Sequence, residues 1–134
     1  MLQFYFLSVL LNVITGLILV FTPTLSKSEP KTQPFFETNH FRLVLGILAT
    51  FTGVMKLLSV VQYDIPVVGD LLPALAGVLG GFCMLFEYYT CTTSLDVKVN
   101  TFFETIFIRG RKYVGIFCIF VGTMHFIFPR VLFL

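Results

Sequence analysis

Charged side chains interrupt otherwise apolar stretches of this 134-residue sequence at Arg42, Lys56, Asp70 and Glu87. A lone charge in the hydrocarbon region of a bilayer costs on the order of 3 kcal/mol, so such residues usually pair or serve a function. If they lie on two helices joined by a tight turn, Lys56 and Asp70 are equally far from that turn, at a depth of roughly 10 Å. We therefore predict a Lys56–Asp70 pair, and an Arg42–Glu87 pair at the other end. The alternatives are that Lys56 snorkels to the interface and that Glu87 simply marks a helix end.

His125 lies in the last apolar stretch, at a level that an antiparallel arrangement places close to Lys56 and Asp70. The sequence thus predicts a buried polar cluster of Lys56, Asp70 and His125. Interior polar groups of membrane proteins often satisfy one another and fix helix register. They also mark sites for ligands, protons or partners. Both interpretations of the cluster remain open from the sequence.

The residue patterns of known catalytic and metal sites are missing from the sequence. Cys83, Cys91 and Cys118 form no CxxC motif and have no metal-ligand spacing with His40 or His125. The sequence also contains no dinucleotide-binding glycine motif, phosphate loop or nucleophile elbow. We predict no catalytic residues and no metal site, and the sequence identifies no cofactor.

The composition indicates a membrane protein, because 57% of the residues are hydrophobic and only 12% are charged. Soluble domains carry about a quarter charged residues. The apolar runs are long enough for helices that cross a bilayer and lack the alternation of a membrane β-barrel. We predict an all-α fold in which the whole chain, 1–134, forms one antiparallel bundle of four transmembrane helices. The predicted spans are 3–22, 42–62, 66–87 and 113–132, and a short interfacial helix is predicted at 97–108, with a plain folded loop as the alternative.

Small residues recur at helical spacing on three of the predicted spans and share a stripe with the ionisable residues. Small residues let helices approach closely in lipid. We therefore expect the three stripes to face one another inside the bundle. The predicted packing glycines are Gly46 and Gly53 on the second span, Gly77, Gly80 and Gly81 on the third, and Gly115 and Gly122 on the fourth.

The distribution of Lys and Arg predicts the orientation in the membrane, because cytoplasmic loops carry the excess of these residues. Most of the basic residues near span ends flank the two long loops, around residues 23–41 and 91–112. Both long loops should be cytoplasmic and both termini extracytoplasmic. The basic residues are divided between two loops and form no single stripe, so the net charge of +2 does not indicate a nucleic-acid partner.

One stretch of the chain resembles a known family. Arg42, Gly53 and Lys56, followed by "IPVVGDLLPALAGVLGG", look like the start of the DoxX-like group of small four-helix membrane proteins. The resemblance covers about residues 42–90. It implies a role beside other membrane proteins, since some members accompany quinone-linked oxidoreductases and some relatives are assembly factors.

Three functional classes fit the sequence. The first is a non-catalytic accessory or assembly subunit that packs against a larger membrane protein, favoured by the small soluble portion, the glycine-rich faces and the 17 Phe residues. The second is a quinone- or small-molecule-associated protein that uses the Lys56, Asp70 and His125 cluster. The third is a small transporter or ion-conducting oligomer, which lacks a visible inverted repeat or filter motif. The predicted partners are the lipid bilayer and either a larger membrane protein or further copies of the chain.

Overall fold

The computed structural model describes residues 2–24, 35, 38–58, 71–93 and 100–128. The described segments are helical, which confirms the predicted all-α class. Helix α1 spans Leu2–Phe21, α2 spans Asn39–Leu58 and α3 spans Leu71–Thr92. A short helix α4, Thr101–Glu104, continues as a π-helical turn over Thr105–Arg109, and α5 spans Arg111–Ile127.

Three helices are long and apolar enough to cross a membrane, over Gln3–Phe21, Asn39–Leu58 and Leu71–Thr92. At 1.5 Å per residue each is roughly 30 Å long, which matches the hydrocarbon core of a bilayer. The described part of α5 has 17 residues. The last residues of the predicted fourth span, 129–132, lie outside the described part of the chain.

Several observed helix ends differ from the predicted ones: α5 begins at Arg111 and ends at Ile127, and both α2 and α3 are extended at one end. Residues 59–62 and 66–70 of the predicted spans lie outside the described part of the chain. Helix α2 begins at Asn39, so that Arg42 lies one turn inside it. Helix α3 continues to Thr92, and Glu87 is therefore interior and does not mark a helix end. The hydroxyl groups of Thr90 and Thr92 donate hydrogen bonds to backbone carbonyls one turn earlier. These bonds give the hydroxyl groups partners within the last turns of the helix.

Helices α1, α2, α3 and α5 pack against one another, and the closest pairs are α1 with α5 and α2 with α3. Both close pairs are antiparallel. Near the start of α1, the Tyr5 hydroxyl donates a hydrogen bond to the carbonyl of His125, near the end of α5. In the second pair, Arg42 at the start of α2 reaches Glu87 near the end of α3. The four long helices therefore run in alternating directions along the chain.

Glycines allow both close pairs. A Cβ atom at Gly53 would lie 2.7 Å from the carbonyl oxygen of Ala74, and one at Gly81 would lie 2.7 Å from the carbonyl oxygen of Gly46. Between α1 and α5, a Cβ atom at Gly16 would lie 2.6 Å from the carbonyl oxygen of Gly115. Real side chains essentially never come so close to a backbone oxygen. The backbones therefore meet because these positions lack side chains.

The glycines of the fourth predicted span were expected to face those of α2 and α3, and this was wrong, although Cys118 and His125 of the same stripe do contact α3 and α2. Gly115 and Gly122 of α5 face α1, where Gly16 and Val13 contact them. Gly16 was missing from the predicted packing residues. The predicted glycines of α2 and α3 do meet: Gly46 with Gly81, and Gly77 with the backbone of Gly53. Gly80 instead faces α1 and α5, close to Thr15 and Cys118.

The segment between α3 and α5 is anchored by one aromatic side chain. The side-chain oxygen of Asn100 accepts a hydrogen bond from the amide of Phe102 and caps α4. Phe107 is buried and its ring packs against Phe82 and Phe86 of α3, at centroid distances of 5.2 and 5.7 Å. Residues 101–108 of the helix predicted at 97–108 are thus helical. Residues 97–99 lie outside the described part of the chain.

Candidate functional site

One end of the helical packing holds a buried cluster of charged side chains from three helices. The Arg42 Nη1 atom of α2 lies 3.1 Å from Glu87 Oε2 of α3, so the structure contains the predicted Arg42–Glu87 pair. A second arginine that we did not predict also contacts this carboxylate. The Arg111 Nε atom of α5 lies 2.8 Å from Glu87 Oε1. The Nε–H does not point at that oxygen, so this contact is an ion pair without an aligned hydrogen bond.

The same cluster reaches the end of α1. Nη2 of Arg42 donates hydrogen bonds to the Thr22 hydroxyl at 2.6 Å and to the Pro23 carbonyl at 2.9 Å. Nη2 of Arg111 donates to the Ile18 carbonyl at 3.3 Å. The last carbonyls of a helix have no partner within the helix, and cations near that end are favourable. The two guanidinium groups therefore hold α1 to the other three helices.

Burial makes these contacts essential. Arg42, Glu87 and Arg111 expose 1%, 2% and 5% of their surfaces. Charges removed from water at this level must be paired and hydrogen-bonded, because the cost of desolvation is several kcal/mol per ion. Among the described residues the cluster combines two guanidinium groups with one carboxylate. The carboxylate is thus the group on which both described ion pairs depend.

The opposite end of the packing holds the second cluster. Lys56 Nζ lies 2.8 Å from His125 Nε2, and both side chains are buried. The ring of Tyr5 lies against the imidazole, with centroids 4.7 Å apart, and Lys56 Nζ lies 5.8 Å from the centre of the Tyr5 ring. The structure therefore brings together Lys56 and His125 as predicted, and adds Tyr5.

The Lys56–His125 contact constrains the protons of both groups. An ammonium group can only donate hydrogen bonds, so Nε2 of the imidazole must accept if Lys56 is charged. His125 is then neutral with its proton on Nδ1. The Tyr5 ring face stabilises the ammonium group by a cation–π contact. This arrangement can hold the Lys56 ammonium group in a buried place, and it can pass a proton between Lys56 Nζ and His125 Nε2.

The third predicted member of this cluster is Asp70, which lies outside the described residues. The Lys56–Asp70 pair therefore stays a prediction. Along α2, Lys56 and Arg42 are separated by roughly 21 Å at 1.5 Å per residue. The two clusters thus lie toward opposite ends of α2.

Polar side chains of α1 occupy the region between the clusters. Ser8, Asn12 and Thr15 expose 3% of their surface or less. The Asn12 amide donates a hydrogen bond to the Pro73 carbonyl of α3 at 3.0 Å. The Thr15 hydroxyl has no hydrogen-bond partner within the part of the chain that the structure describes. The buried face of α1 therefore carries polar side chains beside apolar ones, and Asn12 ties it to α3.

The missed residues lie on stripes that the sequence already contains. Arg111 precedes the predicted stripe of α5 by one helical turn and continues its spacing. Tyr5 and Thr22 extend the stripe of Ser8, Asn12 and Thr15 in both directions. The helical spacing could have identified all three. Arg111 was instead counted only as a loop charge.

The thiols of α3 and α5 serve helix packing. Cys83 donates a hydrogen bond to the Phe107 carbonyl at 3.0 Å, and Cys118 donates to the Ala76 carbonyl at 3.2 Å. Both cysteines are buried, and Cys91 is half-buried. Within the described ranges, no three His, Cys, Asp or Glu side chains come together in a group that could hold a metal ion.

Comparison with known proteins finds a relative along the whole chain. The sequence is 34% identical, over 134 residues, to an uncharacterized protein of Treponema pallidum (strain Nichols), and the alignment covers 100% of both chains. A protein-family model also matches residues 1–125. No solved structure matches the chain. The match includes every described residue of the two charged clusters.

Proposed function

The chain belongs to one family with the uncharacterized Treponema pallidum protein, and we propose that it is an accessory or assembly subunit that packs against a larger membrane protein. It crosses the bilayer four times and has no catalytic activity of its own. The observation that carries this proposal is that the buried charged groups contact one another. Arg42, Glu87 and Arg111 form one cluster, and Lys56 contacts His125.

A fourth crossing by α5 is part of the proposal. The buried residues of α5 include Arg111 at its start and His125 near its end, and these belong to the two clusters at opposite ends of α2. Helix α5 therefore extends between the same two clusters as α2. Helix α2 is long enough to cross a membrane. A helix of this position completes an antiparallel four-helix membrane bundle.

The outer surface supplies the contacts with a partner and with lipid. Large apolar side chains point outward from all four long helices, for example Phe6 at 50%, Phe51 at 58% and Phe120 at 59% exposure. The packing glycines meet backbone and side chains of neighbouring helices within the chain. A partner must therefore bind through the outer aromatic and aliphatic residues, because the glycine surfaces are already occupied.

Copurification tests the accessory role. The tagged chain is extracted from its native membrane in mild detergent, and its partners are identified by mass spectrometry. We expect one larger membrane protein in stoichiometric amount, and its loss when Phe51→Ala or Phe120→Ala weakens the outer surface. Thr123→Ala, also exposed but small, is the matched control. Recovery of a well-folded chain without a stoichiometric partner, or only with further copies of itself, would contradict an accessory role.

The second candidate is a small-molecule or proton site at Lys56 and His125. It is favoured by the 2.8 Å contact between two nitrogen atoms of buried, titratable side chains, and by the resemblance of residues 42–90 to DoxX-like proteins, some of which accompany quinone-linked oxidoreductases. His125→Gln separates the two candidates. If the chain is an accessory subunit, this variant keeps the partner and its activity. Intact assembly with loss of activity only in His125→Gln would promote the ligand or proton site.

The proposed orientation places both termini outside and both long loops in the cytoplasm. The structure makes a cysteine-labelling test selective, because Cys83 and Cys118 are buried and Cys91 is half-buried. A membrane-impermeant maleimide should label Cys91 in inverted vesicles and leave intact cells unlabelled, with Cys91→Ser as the control. Labelling of Cys91 in intact cells would show that the orientation is the opposite of the proposed one.

A further inference from the structure

The segment from α4 to the first turn of α5 has two distinct sides. Its inner side is fixed by Phe107, which packs against α3, and by Arg111, which contacts Glu87. Its outer side carries residues of a different kind. These are Phe102, Phe103 and Tyr113, exposed by 64%, 42% and 78%, together with the exposed Arg109 and Lys112.

We propose that this outer side, which we call the α4–α5 surface, binds the headgroups of anionic phospholipids in the bilayer around the protein. The surface consists of Phe102, Phe103, Arg109, Lys112 and Tyr113. The inference depends on the chain being a membrane protein and is independent of the proposed accessory role.

Position supports a lipid as the occupant. The surface lies at the same end as the Arg42–Glu87–Arg111 cluster, at the start of α5 and beyond the end of α3. Aromatic side chains with one polar end are favoured at the level of the headgroups, and Tyr113 is such a residue. The apolar rings of Phe102 and Phe103 can enter the boundary between headgroups and acyl chains.

Charge complementarity selects anionic lipids. Arg109 and Lys112 are the exposed basic residues of the surface, and Glu104, which is half-buried, is its nearest acidic residue in sequence. A guanidinium group binds phosphate oxygens with paired hydrogen bonds, and an ammonium group adds a compact charge. Each Lys or Arg near an anionic membrane surface contributes about 1 kcal/mol, which is about a fivefold change in affinity.

Binding of single lipids to the purified protein tests the proposal. Fluorescent phosphatidylglycerol and phosphatidylcholine are titrated separately into the full chain in detergent. We expect phosphatidylglycerol to bind more tightly, and the Arg109→Gln and Lys112→Gln double variant to weaken it by roughly 25-fold while binding of phosphatidylcholine stays the same. Arg130→Gln, which removes a positive charge far from these residues in the sequence, is the matched control and should retain tight binding.

A second measurement uses the unchanged chain, so that its result does not depend on whether a variant folds. Raising the salt concentration from about 0.1 M to about 1 M shortens the screening length from roughly 10 to 3 Å. It should weaken binding of phosphatidylglycerol and leave phosphatidylcholine unaffected. Equal affinity for the two lipids, or an equal loss in Arg130→Gln, overturns the proposal. It is also overturned if an acidic protein binds through Arg109 and Lys112 while phosphatidylglycerol binds no better than phosphatidylcholine. None of these results depends on whether the chain has a larger membrane partner.

Discussion

Replacing Glu87 by glutamine should be far more damaging than replacing either of its charged neighbours. The change keeps the size of the side chain and removes its charge. Arg42 and Arg111, which expose 1% and 5% of their surfaces, then lose the carboxylate that lies 3.1 and 2.8 Å from them. The repulsion between the two guanidinium groups is no longer offset.

The magnitude follows from the geometry. Two unit charges 4 Å apart interact by roughly 4 kcal/mol at an effective dielectric constant of 20. Glu87 makes two such attractive contacts, against one repulsion between the arginines. Breaking a buried pair by removing one partner typically costs about 3–5 kcal/mol. For a chain of this size that corresponds to a fall in melting temperature of roughly 12–20 °C.

Thermal unfolding in detergent, followed by circular dichroism, provides the comparison. Arg111→Met leaves the Arg42–Glu87 pair in place and should cost less than Glu87→Gln. Glu104→Gln removes a half-buried carboxylate outside the cluster and should change the free energy of unfolding by less than about 0.5 kcal/mol. If Glu87→Gln costs no more than Arg111→Met, the carboxylate does not stabilise both arginines and the reasoning fails.

Three further predictions concern the other buried contacts. Gly53→Ala should destabilise more than Gly77→Ala in the same unfolding assay, because the added Cβ would lie 2.7 Å from a carbonyl oxygen in the first case and 3.1 Å in the second; equal losses would contradict this packing. Lys56→Met and His125→Phe should show a coupling of about 0.5–3 kcal/mol in a double-mutant cycle, and strictly additive effects would mean that the two side chains do not interact. Asn12→Leu should cost about 1–3 kcal/mol, because it removes a buried hydrogen bond between α1 and α3; an unchanged melting temperature would refute that role.

The fold and one ion pair followed from simple regularities of the sequence. The apolar runs predicted helices, and similar distances from a turn placed Arg42 beside Glu87. These inferences use local spacing and the antiparallel course of neighbouring helices. They need no knowledge of how distant helices pack.

The remaining contacts depend on that packing. The sequence cannot show that α1 lies against α5, so Gly16 and Tyr5 had no visible partner before the structure was known. Arg111 was ambiguous for a physical reason, since a basic residue at the start of a span can face the cytoplasm or an interior carboxylate. The pairing of Lys56 with Asp70 and the resemblance to DoxX-like proteins stay predictions.

The packing of α1 against α5 has a consequence for how the chain is made. The first helix leaves the ribosome well before the last one. The Tyr5 hydroxyl nevertheless donates a hydrogen bond to the carbonyl of His125, which is 120 positions later in the chain. Until α5 is made, the face of α1 around Gly16, which packs closely against Gly115, is not covered by that helix. A chain cut short before Arg111 therefore leaves the closely packing face of α1 unfinished. Completion of the final helix closes that face and ends the vulnerable period.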